Sequence, residues 1–183
     1  MRPLPILRNG VTITIVLALA LLSASALMSL AGCARDATPQ SVRPGAGTIE
    51  AVLVKVIDGD TIRVRMPDGA VRKVRYIGID APEVARGGSP GEYLGDEATA
   101  HNSALLRSGP LRMETDVDEW DDFGRLLAYV WAGDVFVNER MVSDGYARAR
   151  NYPPNLARQD RLWKAHDKAR AAGIGIWGRG PDE

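Results

Sequence analysis

The sequence predicts an α+β fold, a small β-barrel with helices packed against it, and three observations support this fold class. Asp58-Gly59 and Asp68-Gly69 are turn signals between runs rich in Val and Ile, which is the pattern of a three-stranded meander. The third strand, predicted over 71–79, has apolar residues on both faces, as a sheet does where it curls into a barrel. Helical signals follow at about 96–107, 138–145 and 155–172.

The predicted strands begin near residue 49 and carry cations on their outer face. Arg63 and Arg65 alternate with apolar residues, so they point away from the core. On the third strand, Arg75 and Asp80 would point to opposite faces if the strand were unbroken. Gly78 lies between them and is the residue that would permit a bend. A site shared by Arg75 and Asp80 therefore requires a bend at Gly78.

The predicted helices have recognisable ends and buried faces. Asn138 is interpreted as the N-cap of the second helix and Asn155 as the N-cap of the third. The buried stripe of the third helix is predicted to begin at Leu156. His101 and His166 fall on inner faces and are interpreted as core residues, since no second histidine lies nearby in sequence to complete a metal pair.

The first 32 residues have the pattern of an export signal. Arg2 and Arg8 precede an apolar run over 11–30, and Leu30-Ala31-Gly32-Cys33 resembles the lipobox of bacterial lipoproteins. We expect a lipoprotein signal sequence over 1–32, a flexible tether over 33–48 that starts at lipidated Cys33, a domain over 49–178 and a tail over 179–183. An uncleaved membrane anchor is the alternative. In both cases the domain is exported, and lipidation of Cys33 would hold it at the cell envelope, on the outer membrane or the cell surface.

Charge is balanced over the chain, with 23 basic and 23 acidic residues. The predicted leader contains two arginines and no acid, so 21 basic residues remain against 23 acidic ones, a formal net charge of −2. A nucleic-acid-binding protein usually has a basic excess. A polyanion would therefore be bound here by local clusters and a cation, and basic clusters occur at Arg63/Arg65, Arg72/Lys73/Arg75 and Arg148/Arg150. Cys33 is the only cysteine, which excludes an internal disulfide.

Polar residues at the ends of the predicted strands are candidates for phosphodiester chemistry. The oxygens of a phosphodiester repel nucleophiles, so a catalyst must neutralise that charge and orient a water. Asp60 and Asp80 can share a hard cation. Arg75 and Arg125 can donate bidentate hydrogen bonds to phosphate oxygens, and Glu83 can accept a proton from water. The acidic run over 116–122 lacks the glycine and glutamate of an EF-hand loop and is interpreted as a solvated turn.

Three ordered motifs resemble those of the staphylococcal-nuclease-like (thermonuclease) family. The first is Val56-Ile57-Asp58-Gly59-Asp60-Thr61, and the second runs from Arg75 to Asp80-Ala81-Pro82-Glu83. The third is Asp121-Asp122-Phe123-Gly124-Arg125, followed by Leu127-Ala128-Tyr129-Val130. With Val137-Asn138-Glu139 and Ile176-Trp177, the resemblance extends over about 49–177.

The resemblance implies an OB-fold barrel of five strands with three α-helices, and calcium-dependent hydrolysis of DNA or RNA to products with 3′-phosphates. It implies that Ca²⁺ is bound by the carboxylates of Asp60 and Asp80 and the carbonyl of Ala81. Arg75, Glu83 and Arg125 would be catalytic, and Phe123 and Tyr152 would contact the substrate. Phe123 stands where tyrosine is common, and Asp122 stands where the family often has a basic residue. We expect such a protein to act as a monomer.

Two other functions are compatible with parts of the sequence. A non-catalytic OB-fold module could bind nucleic acid or an envelope partner, but degenerate members of that kind usually lose the arginines or the glutamate that are retained here. A structural envelope lipoprotein is supported by the leader alone. The three intact motifs favour a nuclease over both.

Overall fold

The computed structural model describes residues 48–178. The predicted signal sequence, Cys33, the tether up to residue 47 and the tail over 179–183 lie outside the described residues, so those predictions stay predictions. Within 48–178 no helix is both long and apolar enough to cross a membrane.

Five strands form a closed β-barrel, as predicted. They are β1 (Thr48–Val56), β2 (Thr61–Arg65), β3 (Val71–Tyr76), β5 (Leu111–Glu114) and β6 (Leu126–Ala132). Antiparallel pairing runs from β3 through β2, β1 and β5 to β6, and a parallel pairing of β3 with β6 closes the barrel. The inside is filled by side chains such as Ile62, Val74, Met113 and Val130, none of which is exposed to solvent. Closure leaves few open edges and gives the site a rigid base.

Three α-helices and three short strands complete the fold. The helices are α1 (Gly95–Leu105), α2 (Val137–Ser143) and α3 (Gln159–Ala171), and a 3₁₀ turn follows at Gly175–Trp177. The short strand β4 (Ile79–Asp80) pairs with β8 (Arg148–Ala149), and β7 (Val135–Phe136) pairs with β6. This α+β architecture confirms the predicted fold class.

The predicted bend is present at Gly78. This residue has a φ of +77°, which lies in the left-handed region that glycine adopts without strain. β3 ends at Tyr76 and β4 starts at Ile79, so the chain changes direction between Arg75 and Asp80. The bend places both side chains on one side of the barrel.

Both predicted asparagine caps are wrong, because each side chain is used in a tertiary hydrogen-bond network. The side chain of Asn138 is buried inside α2, where its Oδ1 accepts from Val130 N at 2.9 Å and its Nδ2 donates to Ile77 O at 2.9 Å. The side chain of Asn155 instead hydrogen bonds to both backbone groups of Asp118: its Oδ1 accepts from Asp118 N at 2.8 Å and its Nδ2 donates to Asp118 O at 2.9 Å. α3 begins at Gln159, and Leu156, predicted to start its buried stripe, is 42% exposed in the preceding loop.

The two histidines differ in their surroundings. His166 is a core residue, as predicted, and its Nδ1 accepts from Ala149 N at 3.0 Å. Burial lowers the pKa of His166, consistent with a neutral ring. His101 is only partly buried: its Nε2 lies 2.9 Å from Asp144 Oδ2 and its ring stacks on Tyr146. The expectation that His101 is packed in the core is therefore wrong.

Candidate active site

The turn between β1 and β2 is fixed to the rest of the domain by hydrogen bonds. Asp58 Oδ1 accepts from Asp60 N at 3.1 Å, and Asp58 O accepts from Asn102 Nδ2 at 3.0 Å. Asn102 lies on α1, and its Oδ1 accepts from the hydroxyl of Tyr76 at 3.0 Å. Asp60 is therefore held in place from both the barrel and α1.

Gly59 permits the close approach of this turn to the second motif. A Cβ at Gly59 would lie 2.5 Å from Ala81 Cβ and 3.1 Å from Ala98 Cβ, so no larger side chain fits without movement. The contact brings Ala81 N within 2.9 Å of Asp60 Oδ2, to which it donates. The small residues at these two positions thus bring the first two motifs together.

Asp60 is a buried carboxylate, with only 4% of the residue exposed. Its Oδ1 accepts from Thr61 Oγ1 at 3.0 Å, in addition to the bond from Ala81 N. Burial raises the pKa of Asp60 to about 7, although the neighbouring Arg75 acts in the opposite direction. The negative charge at this position is incompletely offset by the protein itself.

Arg75 links the two predicted metal-binding carboxylates. Its Nη1 forms an ion pair with Asp60 Oδ2 without making a hydrogen bond, and its Nη2 donates to Asp80 Oδ1 at 2.9 Å. The other oxygen of Asp80, Oδ2, accepts from Arg150 Nη1 at 3.0 Å. In an unbroken strand Arg75 and Asp80 would point to opposite faces. The bend at Gly78 instead lets the two side chains meet in one site.

Arg150 is a site residue that the sequence did not single out. The sequence showed it only as half of a basic pair with Arg148. It reaches Asp80 because β8 pairs with β4, and the two residues are 70 positions apart in the chain. Their pairing could not be found from local spacing.

Arg125 is positioned by the acidic turn before β6. Asp121 Oδ1 accepts from Phe123 N at 3.0 Å and Arg125 N at 2.8 Å, and Asp121 Oδ2 accepts from Arg125 Nε at 2.6 Å. Within residues 48–178, neither Nη atom of Arg125 has a hydrogen bond or an ion pair. The guanidinium lies 5.4 Å from the ring centre of Phe123, which is 84% exposed. This turn presents one cation and one aromatic face to solvent.

A cavity of about 450 Å³ gathers most of the predicted substrate contacts. Its lining combines three arginines, two aromatic rings and two further residues: Arg75, Arg125, Arg150, Phe123, Tyr152, Asn151 and Pro153. Cations suit phosphate oxygens and exposed rings suit nucleobases. The cavity thus fits a nucleotide.

Glu83 is not among the residues that line this cavity. Its backbone is fixed to Glu92, whose N donates to Glu83 O at 2.8 Å and whose Oε2 accepts from Glu83 N at 3.2 Å. The carboxylate of Glu83 is exposed and has no hydrogen-bond or ion-pair partner among the described residues. It is therefore available to a water or a ligand.

The donors near Asp60 fit a hard divalent cation. Asp60 and Asp80 offer carboxylate oxygens and Ala81 offers a backbone carbonyl, the ligand types that Ca²⁺ prefers. The raised pKa of Asp60 indicates a buried charge that a cation would stabilise. No cluster of three or more Asp, Glu, His or Cys side chains suited to a metal occurs within residues 48–178. The remaining ligands of such an ion would therefore be carbonyls, waters or substrate oxygens.

Comparison with known proteins gives concordant matches. Residues 73–179 match the model of the family described as staphylococcal nuclease homologue. A thermonuclease of Staphylococcus hyicus is 39% identical over 125 residues, which cover 68% of this chain and 73% of that protein. A thermonuclease of Staphylococcus intermedius is 39% identical over 131 residues, covering 71% and 77% respectively. The SPbeta prophage-derived endonuclease YokF of Bacillus subtilis strain 168 is 37% identical over 133 residues, covering 72% and 45%. The chain belongs to the staphylococcal nuclease family.

Proposed function

We propose that this protein is a calcium-dependent nuclease that hydrolyses phosphodiester bonds in DNA or RNA and leaves 3′-phosphates. Family membership supports nucleic-acid hydrolysis, and the relatives it matches are named thermonuclease and endonuclease. The observation that carries the proposal is the position of Arg75. It joins Asp60 to Asp80 and lines the same cavity as Arg125 and Phe123.

The chain's own residues supply most of the required steps. Arg75 and Arg125 donate hydrogen bonds to the non-bridging oxygens of the scissile phosphate, where negative charge develops in the transition state. Glu83 accepts a proton from the attacking water, since its carboxylate is exposed and has no other hydrogen-bond partner among the described residues. A bond forms from the water oxygen to phosphorus, the bond from phosphorus to the 5′ oxygen breaks, and that oxygen takes up a proton.

The calcium site would be formed by Asp60, Asp80 and the carbonyl of Ala81. A bound Ca²⁺ supplies charge neutralisation for the phosphate and for the two carboxylates. Phe123 and Tyr152 line the same cavity as the arginines and offer aromatic faces to the bases of the substrate. Phe123 has no hydroxyl, so its contribution is limited to stacking.

Cleavage of single-stranded DNA by the purified protein, with calcium or with a chelator, tests the proposal. We expect cleavage only with calcium, and a fall on the order of a hundredfold or more in kcat for Glu83→Gln. Glu97→Gln is the matched control, because Glu97 is an exposed acid on α1. Asp80→Asn should alter the calcium requirement first. Binding without cleavage by protein that keeps its fold would support a non-catalytic OB-fold module instead.

We also propose that the mature protein starts at Cys33 and is lipid-anchored at the cell envelope as a monomer. The lipobox-like sequence Leu30-Ala31-Gly32-Cys33 supports this location. Mass spectrometry of the mature N-terminus would detect the lipid on Cys33, and Cys33→Ser should release the protein from the membrane fraction. A mature chain that retains residues 1–32 would contradict the anchor by lipidation.

A further inference from the structure

Three exposed cations form a row across three neighbouring strands on the outer face of the barrel. Lys55 on β1 is directly opposite Arg63 on β2, and Arg63 is directly opposite Lys73 on β3. All three side chains are exposed. We call Lys55, Arg63 and Lys73 the cationic row.

The cationic row is unfavourable for the isolated domain. Neighbouring strands lie about 4.8 Å apart, so like charges placed directly opposite each other repel. No acidic side chain pairs with any of the three within residues 48–178, whereas Arg158 is paired with Glu114 and Arg161 with Glu139. An arrangement of this kind becomes favourable when an anion binds across it.

The cationic row is next to the turn that carries Asp60. With Ile57 and Arg86 it lines a hollow of about 310 Å³. Arg86 donates to Ile57 O at 2.5 Å and to Asp58 Oδ2 at 3.2 Å, and Asp58 Oδ1 in turn accepts from Asp60 N. A chain of contacts therefore connects the hollow to the predicted calcium ligand.

We propose that the cationic row binds phosphates of the nucleic-acid strand beyond the phosphate at the bond that is cleaved. This inference rests on the proposed nuclease function and extends its substrate site along the strand. Because the formal net charge of the whole chain is zero, attraction to a polyanion depends on such local clusters. The hydrogen bonds from Arg86 through Asp58 to Asp60 link the hollow to the active site, and this link favours a nucleic-acid strand over a membrane surface as the occupant.

The test compares two triple variants of the purified protein. The first is Lys55→Gln/Arg63→Gln/Lys73→Gln, which neutralises the cationic row. The matched control, Arg107→Gln/Lys164→Gln/Lys168→Gln, removes the same charge from exposed positions on and near α1 and α3. Both are measured by fluorescence anisotropy with a single-stranded DNA of about twenty nucleotides, longer than the roughly 4–16 that one OB fold covers. A chelator prevents cleavage during the titration.

Loss of three phosphate contacts should reduce the slope of log Kd against log salt by about two, because each contact to a single strand contributes roughly 0.7. In the presence of calcium, KM for the long substrate should rise on the order of tenfold, while kcat/KM for a dinucleotide stays unchanged. The control variant should match the wild type in both measurements. Lys73→Gln alone should reduce the slope by about 0.7, which keeps the test valid if the triple variant folds poorly.

The outcomes separate this inference from the proposed function. Failure of the wild type to cleave the long single-stranded DNA with calcium would reject the nuclease, whatever the cationic row does. An unchanged salt slope in the first triple variant, or an equal loss on long and short substrates, would overturn the inference alone. So would a first triple variant that binds DNA like the wild type but no longer binds vesicles rich in anionic lipid, since the row would then be a membrane contact.

Discussion

Replacing Asp60 by Asn should stabilise the calcium-free protein, and the gain should grow with pH. Asp60 is buried and its pKa is raised from 3.8 to about 7, with desolvation as the largest cause. The folded state therefore holds this proton more tightly than the unfolded chain does. Asn keeps a similar shape but never ionises, so the variant escapes the cost of burying a charge.

The size of the effect follows from the two pKa values. Below pH 3.8 the carboxyl is protonated in both states and contributes no difference. As the pH rises towards 7, the unfolded chain ionises first and the free energy of unfolding of the wild type falls. Above pH 7 the loss is complete, and at 1.36 kcal/mol for each pH unit between 3.8 and about 7 it amounts to about 4 kcal/mol. At pH 5 the expected difference is about 2 kcal/mol.

Urea unfolding of wild type and Asp60→Asn in chelator, at pH 5 and at pH 8.5, measures this difference. Asp122→Asn is the control, because Asp122 is an exposed acid of the same residue type. Calcium at about a hundred times its Kd should stabilise the wild type by about 2.7 kcal/mol at pH 8.5 and the Asp60 variant by less. A stability difference that does not change between the two pH values would refute the argument that Asp60 is a buried charge.

Three further substitutions test other parts of the site and the fold. Arg125→Ala should lower kcat/KM on the order of a hundredfold or more in protein that keeps its fold, since its guanidinium lines the cavity; an unchanged rate would remove it from the site. Phe123→Leu should raise KM by roughly tenfold or more through lost base stacking, with kcat measured alongside. Asn138→Ala should lower the free energy of unfolding in urea by about 2–5 kcal/mol, because Val130 N and Ile77 O lose their buried partner; a loss under 1 kcal/mol would contradict the geometry.

The barrel was predictable because its signals are local. Asp58-Gly59 and Asp68-Gly69 mark turns, and alternation of apolar residues marks strands. A few adjacent residues are therefore enough to predict each element. The bend at Gly78 was predictable because Arg75 and Asp80 can share a site only if the strand bends between them. Gly78 is the residue between them that adopts the required left-handed conformation without strain. The roles of the site residues stay predictions, but the structure does bring Arg75, Asp60 and Asp80 together.

The misassigned caps show where local signals fail. Asparagine before a helical segment is a common N-cap because its side chain can accept from the first turn. Asn138 and Asn155 instead hydrogen bond to backbone groups far along the chain, which only the assembled fold brings near. Arg150 was missed for the same reason, since its partner Asp80 is set by the pairing of β4 with β8.

The position of Arg75 explains how one residue can serve both folding and binding. Its guanidinium is committed to the carboxylates of Asp60 and Asp80, which would otherwise repel each other. If those carboxylates engage a cation, as proposed, they would no longer depend on Arg75 for charge compensation, and its donors could turn to a phosphate in the cavity that it already lines. Cation and substrate would then favour each other's binding, and by thermodynamic reciprocity each should raise the affinity for the other by the same factor.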